Sequence, residues 1–190
     1  MTAAEEEFYT PERWENWLSR IREEDIDPED EDAARLLLNL QDDTTIAVVK
    51  ILEAYDEERI GDEETLAELE EVREIVLEEV DFEDEDKAIL VDGVQTSLLC
   101  VFLAAEEYVV NGPESNESIA DCIETAQAAE AEDDLDNALW HCARAGTAIL
   151  DGEHLDRAIG EEMEYSLVAE WINGLDSLAS AVSDPEVVEE

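Results

Sequence analysis

The stretch Leu139–Gly146, LWHCARAG, brings His141, Cys142 and Arg144 together in a chain otherwise saturated with acid. A thiol, an imidazole and a guanidinium could serve a nucleophile or a metal. Zn²⁺ wants four converging ligands, and Cys122, with His141 or His154, could complete a set with Cys142. However, the chain contains neither CxxC nor HxxxH spacing, and on a helix His141 projects about 100° away from Cys142. Leu135, Ala138, Leu139, Cys142, Gly146, Ile149 and Leu150 keep helical spacing on one face, which points Cys142 inward. The favoured reading is therefore buried thiols, with metal or redox use of Cys122 and Cys142 as the alternative.

Carboxylates offer a second chemistry. Mg²⁺-dependent all-α nucleotide pyrophosphatases carry EExxE followed by ExxD. Glu70, Glu71 and Glu74 match the first half, and Glu83 with Asp86 the second. In a chain this rich in Glu the pattern arises by chance, the two halves lie close together, and the carboxylates fall on a solvated helix face. The loop DEERIGDEETLAEL fails as a calcium site: with Gly61 sixth, Ile60 stands where an oxygen ligand is wanted and Glu63 where an apolar residue is wanted. No GxSxG and no glycine-rich phosphate loop occurs. These residues predict a protein that is not an enzyme and takes no cofactor.

The elements that would position these groups read as all-α, because no segment alternates with period two for long. Thr10 and Pro11 cap and open a first helix that ends near Glu24, with Trp14, Trp17, Leu18 and Ile21 on its inner stripe. Asp27 or Pro28 opens a second, with Leu37, Leu38, Val48, Val49, Leu52 and Tyr55 on one apolar face, Leu36, Leu40, Ala47, Ile51 and Ala54 on another, and a possible break at QDDTT. Gly61 and Asp62 begin a third, carrying Leu66, Leu69, Val72, Val76 and Val80 inward. The segment around Leu98–Ala105 is apolar all round and should be the central helix, with Cys100 in the core. After the loop NGPESNES come helical stretches at about 117–131, 134–150 and 154–182, with Asn173 and Gly174 as the place where the last could bend. The expectation is a single bundle of about six or seven helices. Residues 1–111 supply the N-terminal helices and the central one, 117–183 a hairpin and a long C-terminal helix on the same core, and 184–190 an acidic tail.

Composition bounds the setting. Asp and Glu number 57 against 10 Lys and Arg, a net charge of −47, yet 45% of the 190 residues are hydrophobic, so the charge coats a folded body. A Debye length of about 10 Å at ~0.1 M salt leaves such charges repelling one another, whereas at ~1 M it falls to about 3 Å. Eight of the ten cations are Arg, the weakly hydrated choice that pairs with carboxylates. These features indicate a salt-in halophile's cytoplasm. Direct nucleic-acid binding lacks a basic cluster, and mimicry of nucleic acid by the acidic surface is a third functional reading. The N-terminus MTAAEEEFYT has no basic, apolar signal pattern. The longest apolar run, Leu98–Ala105, is far short of the ~20 residues that span a bilayer.

The stretch from Glu117 to Leu150 resembles one tetratricopeptide-type hairpin, with Ala126, Ala129, Ala138 and Ala145 where two helices must approach closely. The turn lacks the usual Gly, Cys142 replaces a late aromatic, and no second copy follows. Folding about Asp133 sets residue 122 opposite 144, which brings Cys122 near Cys142. Trp140 lies off this seam, so either the central helix or a partner covers it, and packing is favoured. Trp140 and Arg144 are the candidates for a partner surface. From FYTPERWENWLSRI through DPEDEDAARLLLNLQDD, VDGVQTSLLCVFLAAEEYV and AEWINGLDSL to SDPEVVEE, the chain is similar to a haloarchaeal family of small acidic helical proteins of unknown function. The resemblance implies a halophilic cytoplasmic protein and carries no activity or site. The functional expectation is binding to another protein, or to itself, as adaptor or regulatory subunit, with no membrane contact. The alternative is a Mg²⁺-dependent phosphohydrolase using Glu70, Glu71 and Glu74.

Overall fold

The computed structural model describes residues 8–183 except 26, 28, 114, 115 and 157. Pro28 as a helix opener and the acidic tail at 184–190 lie outside the described residues. Eight helices and no strand are found among them: α1 Pro11–Glu23, α2 Glu31–Asp56, α3 Asp62–Val76, α4 Glu85–Asn111, α5 Ile119–Ala131, α6 Leu135–Leu150, α7 Ala158–Glu161 and α8 Leu167–Ser183. The all-α expectation holds, and one hydrophobic core runs from Tyr9 to Ala181.

Local chemistry sets the boundaries. The Thr10 hydroxyl accepts from the Arg13 amide at 3.2 Å at the start of α1. Asp30, Asp84, Ser118 and Asp134 cap α2, α4, α5 and α6 in the same way. Each satisfies an amide that the first helical turn leaves without a partner.

Helix α4 is central, touching α2, α3, α6 and α8. Leu98, Cys100, Val101, Phe102, Ala104 and Ala105 are buried along it. It is long and apolar enough to cross a bilayer by length and composition, and half of its apolar window is covered by the other helices. Its polar side chains close the ends of neighbours. Lys87 Nζ donates to the Arg22 and Glu24 carbonyls at 3.1 and 2.8 Å, and Gln95 Nε2 donates to those of Val76 and Glu78 at 2.9 and 2.8 Å. Orphan carbonyls at the ends of α1 and α3 are thus satisfied from α4.

Two boundary expectations are corrected. QDDTT does not break α2, because every polar group in it finds a partner. Thr44 and Thr45 donate to the Leu40 and Gln41 carbonyls at 3.2 and 2.8 Å, Asp43 takes Arg13 and the Trp17 indole, and Asp42 takes Ser177 at 2.6 Å. The stretch 154–182 is not one helix. Asp156 caps the short α7, and Ser166 caps α8 through the Ala169 amide at 3.2 Å. The helical spacing of Leu155, Ile159 and Met163 concealed that interruption. Helix α8 runs continuously through Asn173 and Gly174. Gly174 meets α4, where a Cβ would strike the Ser97 carbonyl.

Two apolar assignments also change. Leu38 and Leu135, expected on inward stripes, are exposed. Leu38 belongs to the flank of α2 left uncovered, and Leu135 opens the first turn of α6, where the hairpin turn gives it no facing helix.

A candidate partner-binding groove

The hairpin of α5 and α6 turns at Asp133, whose φ of 60° takes the left-handed conformation that Gly would usually fill. Its close approach uses the expected small residues: Ala126, Ala138 and Ala145 are fully buried, and Ala129 is half-buried. On the α5 side Cys122 Sγ lies 3.6 Å from Glu117 Oε2, and across the seam the Arg144 guanidinium lies 3.7 Å from the same oxygen. Residues 122 and 144 thus share a neighbour in Glu117, and Cys122 is close enough to Cys142 for its charge to act on that thiol.

The three cysteines are buried and none forms a disulfide among the described residues. Burial pushes the Cys142 thiol up to about 12, with the Glu130 and Cys122 charges adding to the effect. Burial likewise raises Cys100, helped by neighbouring Cys142. A thiol held neutral in this way is a poor nucleophile and a poor metal ligand. His141 does not join them. Its ring packs edge-on to Trp140 at 5.0 Å, while His154 is exposed in the connection after α6. Among the described residues no group of three His, Cys, Asp or Glu is placed to hold a metal ion.

Glu70, Glu71 and Glu74 are all exposed on α3, as are Glu83 before α4 and Asp86 in its first turn. The position between them carries the contact that matters structurally. Arg73 donates to Glu106 of α4 at 2.6 Å, yet burial still holds the Glu106 carboxyl above its ordinary value, with Glu70 adding to the rise and Arg73 opposing it.

Trp140 behaves differently from the other three tryptophans. Trp14 and Trp171 are buried and Trp17 is half-buried, whereas Trp140 is 45% exposed. On this side of α6 Ala143 and Thr147 are buried, but the packing expected over Trp140 leaves it uncovered. There the helices leave a groove of about 400 Å³. Leu103 and Val110 from α4 and Leu139, Trp140 and Ala143 from α6 form its apolar lining, and Glu106, Glu107 and Asp136 supply carboxylates. Val110 is itself exposed. The Arg144 guanidinium stacks 4.6 Å from the Trp140 ring centroid, and its link to Glu117 ties the indole to the hairpin. Such a cation–π contact restrains the ring without covering the groove.

The sequence found Trp140 and Arg144 but missed the α4 side. One signal was present. Val109 and Val110 are adjacent apolar residues at a helix end, and adjacent positions point about 100° apart, so one of the pair was bound to leave the core. A second uncovered region, where α2, α4 and α8 meet beside Leu38, Ile89 and Tyr165, was also missed, because Leu38 had been assigned inward. No curated protein and no solved structure matches this chain. Residues 7–190 match the family model DUF2150, an uncharacterized protein conserved in archaea, and the chain belongs to that family.

Proposed function

We propose that this protein works by binding a partner protein through the α4/α6 groove, as a non-enzymatic adaptor or regulatory subunit. The observation that carries this reading is the half-exposed Trp140, restrained by Arg144 at the edge of an apolar groove. A large aromatic left at a groove is the residue type that dominates interface energetics. The occupant that fits is an amphipathic helix of another protein, with its apolar face against Leu103, Leu139 and Trp140 and basic side chains reaching Glu106, Glu107 and Asp136. Charge supports a foreign partner over a second copy, since each copy brings a net −47 to the contact.

The setting proposed is the cytoplasm of a haloarchaeal cell that keeps molar salt inside, where the acidic surface is screened. Dilution to ~0.1 M salt is then expected to loosen the fold, and a melting temperature independent of salt would contradict that setting. The partner reading is tested by affinity purification from the native host in ~2 M KCl with the wild-type chain and Trp140→Ala. The expected result is a stoichiometric protein that is lost with Trp140→Ala, and whose basic-flanked helix, made as a peptide, shifts Trp140 fluorescence. Equal recovery by both chains would overturn the groove. Nucleoside triphosphate turnover with Mg²⁺ that Glu71→Gln abolishes would overturn the non-enzymatic reading.

A further inference from the structure

Each of the long helices α4, α6 and α8 contains an interior glycine, and packing explains two of them. A Cβ at Gly146 would collide with Ala104 and Leu175, and one at Gly174 with the backbone of Ser97. Gly93 in α4 is not explained this way. A Cβ there would meet Glu170 Oε2 at 3.8 Å, an ordinary contact, and no other atom within reach. Glycine inside a helix is destabilising relative to alanine, so the bare backbone at Gly93 has a local cost that the protein's own packing does not require.

Gly93 lines a groove of about 390 Å³ between α2, α4 and α8. Leu37, Leu90 and Val94 contribute its apolar surface, and Tyr165, 88% exposed, stands at its side. Among these residues is one carboxylate. Glu170 is half-buried, accepts a long hydrogen bond of 3.4 Å from the Ser97 hydroxyl, and pairs with no Lys or Arg among the described residues. The groove continues past Tyr165, Glu170 and Asn173 into a second cavity of about 530 Å³ beside α7, where Asp156 and Glu161 add negative charge. Both volumes fall within the ~300–1,000 Å³ range of small-molecule pockets.

We infer that this cleft is a binding site for a small alkylammonium compound, its cationic head on Glu170 and its aliphatic chain along α2 and α4 over Gly93. Glu170, half-buried beside apolar side chains and with no Lys or Arg partner among the described residues, offers its charge to a cationic ligand in the groove, and the Tyr165 ring offers a face to the same cation. The absence of a side chain at Gly93 leaves room for the chain. The cleft is separate from the Trp140 groove, so Trp140→Ala is expected to leave it unchanged.

The test is calorimetric titration of n-hexylammonium chloride into the full chain in ~2 M KCl, where attraction to the general acidic surface is screened. Saturable one-to-one binding is expected. Glu170→Gln removes only one of 57 acidic side chains and is expected to weaken binding about tenfold or more, as is replacing the probe by neutral n-hexanol. Gly93→Leu is expected to abolish it, and Tyr165→Ala, at a site too exposed to endanger folding, to weaken it. Absence of saturable binding, equal affinity in Glu170→Gln, or binding only of a lysine-containing peptide would overturn the assignment.

Discussion

Helix α1 and helix α8 are attached to the same bundle by different physics. Around α1 the chain concentrates its scarce cations. Arg13 holds Asp43 and faces the Tyr9 ring, Arg20 lies over Trp17, Arg22 reaches Glu15 and the Phe82 ring, and Lys87 closes the helix end. Around α8 the chain uses small residues instead. Gly174 rides on the Ser97 backbone, and Gly146 of α6 makes room for Ala104 and Leu175. In a protein with 10 basic residues against 57 acidic ones, opposite-charge pairing can secure only a few places. The remaining junctions must be close-packed, and those of the central helix with α6 and α8 are among them.

The contrast breaks most severely at Gly174. Gly174→Val forces a branched side chain into the Ser97 carbonyl, a backbone atom that cannot swing aside. Overpacking of this kind costs about 3 kcal/mol or more, and thermal unfolding in ~2 M KCl is expected to show a drop of many degrees or no cooperative transition. A variant that melts with the wild type would mean that α8 is not seated by this contact. The α2/α4/α8 cleft should open with it, whereas the hairpin, which contacts α4 independently, is expected to keep its helicity.

At α1 the effect is smaller because one partner faces water. Asp43 is 2% exposed, while the Arg13 side chain is 51% exposed. Arg13→Leu leaves Asp43 with only the Trp17 indole, at 2.9 Å. Removing one partner of a fully buried pair costs about 3–5 kcal/mol, and discounting for Arg13's exposure gives about 1–2 kcal/mol. The Arg13→Leu, Asp43→Leu double variant is expected to recover part of this loss, since the stranded carboxylate goes with it. Denaturant unfolding of the single and double variants checks the sign. A double variant weaker than the sum of the two singles would show that Asp43 contributes through something other than Arg13 and Trp17.

The same division explains what could be read in advance. Caps and stripes are local, so Thr10 and Pro11, Gly61, the central run at Leu98–Ala105 and the fold of the hairpin about Asp133 were all visible in the residues. Trp140 and Arg144 were visible too, because they fall off a well-defined helical stripe. What stayed hidden depends on which helix lies opposite. QDDTT reads as a breaker until Arg13, Trp17 and Ser177 arrive from distant segments to satisfy its polar groups. Gly174 has no visible reason within α8 until Ser97 requires the missing Cβ. Leu38 reads as core until it proves to be exposed at the α2/α4/α8 groove, and the vacant side of Gly93 has no sequence signature at all.

Asp42, on the α2 side of the α8 junction, gives the smallest predicted effect. Asp42 accepts the Ser177 hydroxyl at 2.6 Å, and Ser177 in turn accepts from the buried Gln41 amide at 3.0 Å. Burial raises the Asp42 carboxyl above its ordinary value of 3.8, with the Ser177 hydrogen bond opposing the rise and Asp176 adding to it. The native state therefore holds this proton more tightly than the unfolded chain does. Stability should fall as pH climbs from that ordinary value through the raised native one, and the penalty then stays constant at higher pH. Asp42→Asn has no proton to lose, so its melting temperature relative to wild type should improve across that window and level off above it. The measurement belongs in ~2 M KCl, where the other carboxylates are screened. A difference that stays flat through the window would show that Asp42 titrates alike in the folded and unfolded chains, leaving the α8 junction electrically as neutral as its glycines make it sterically tight.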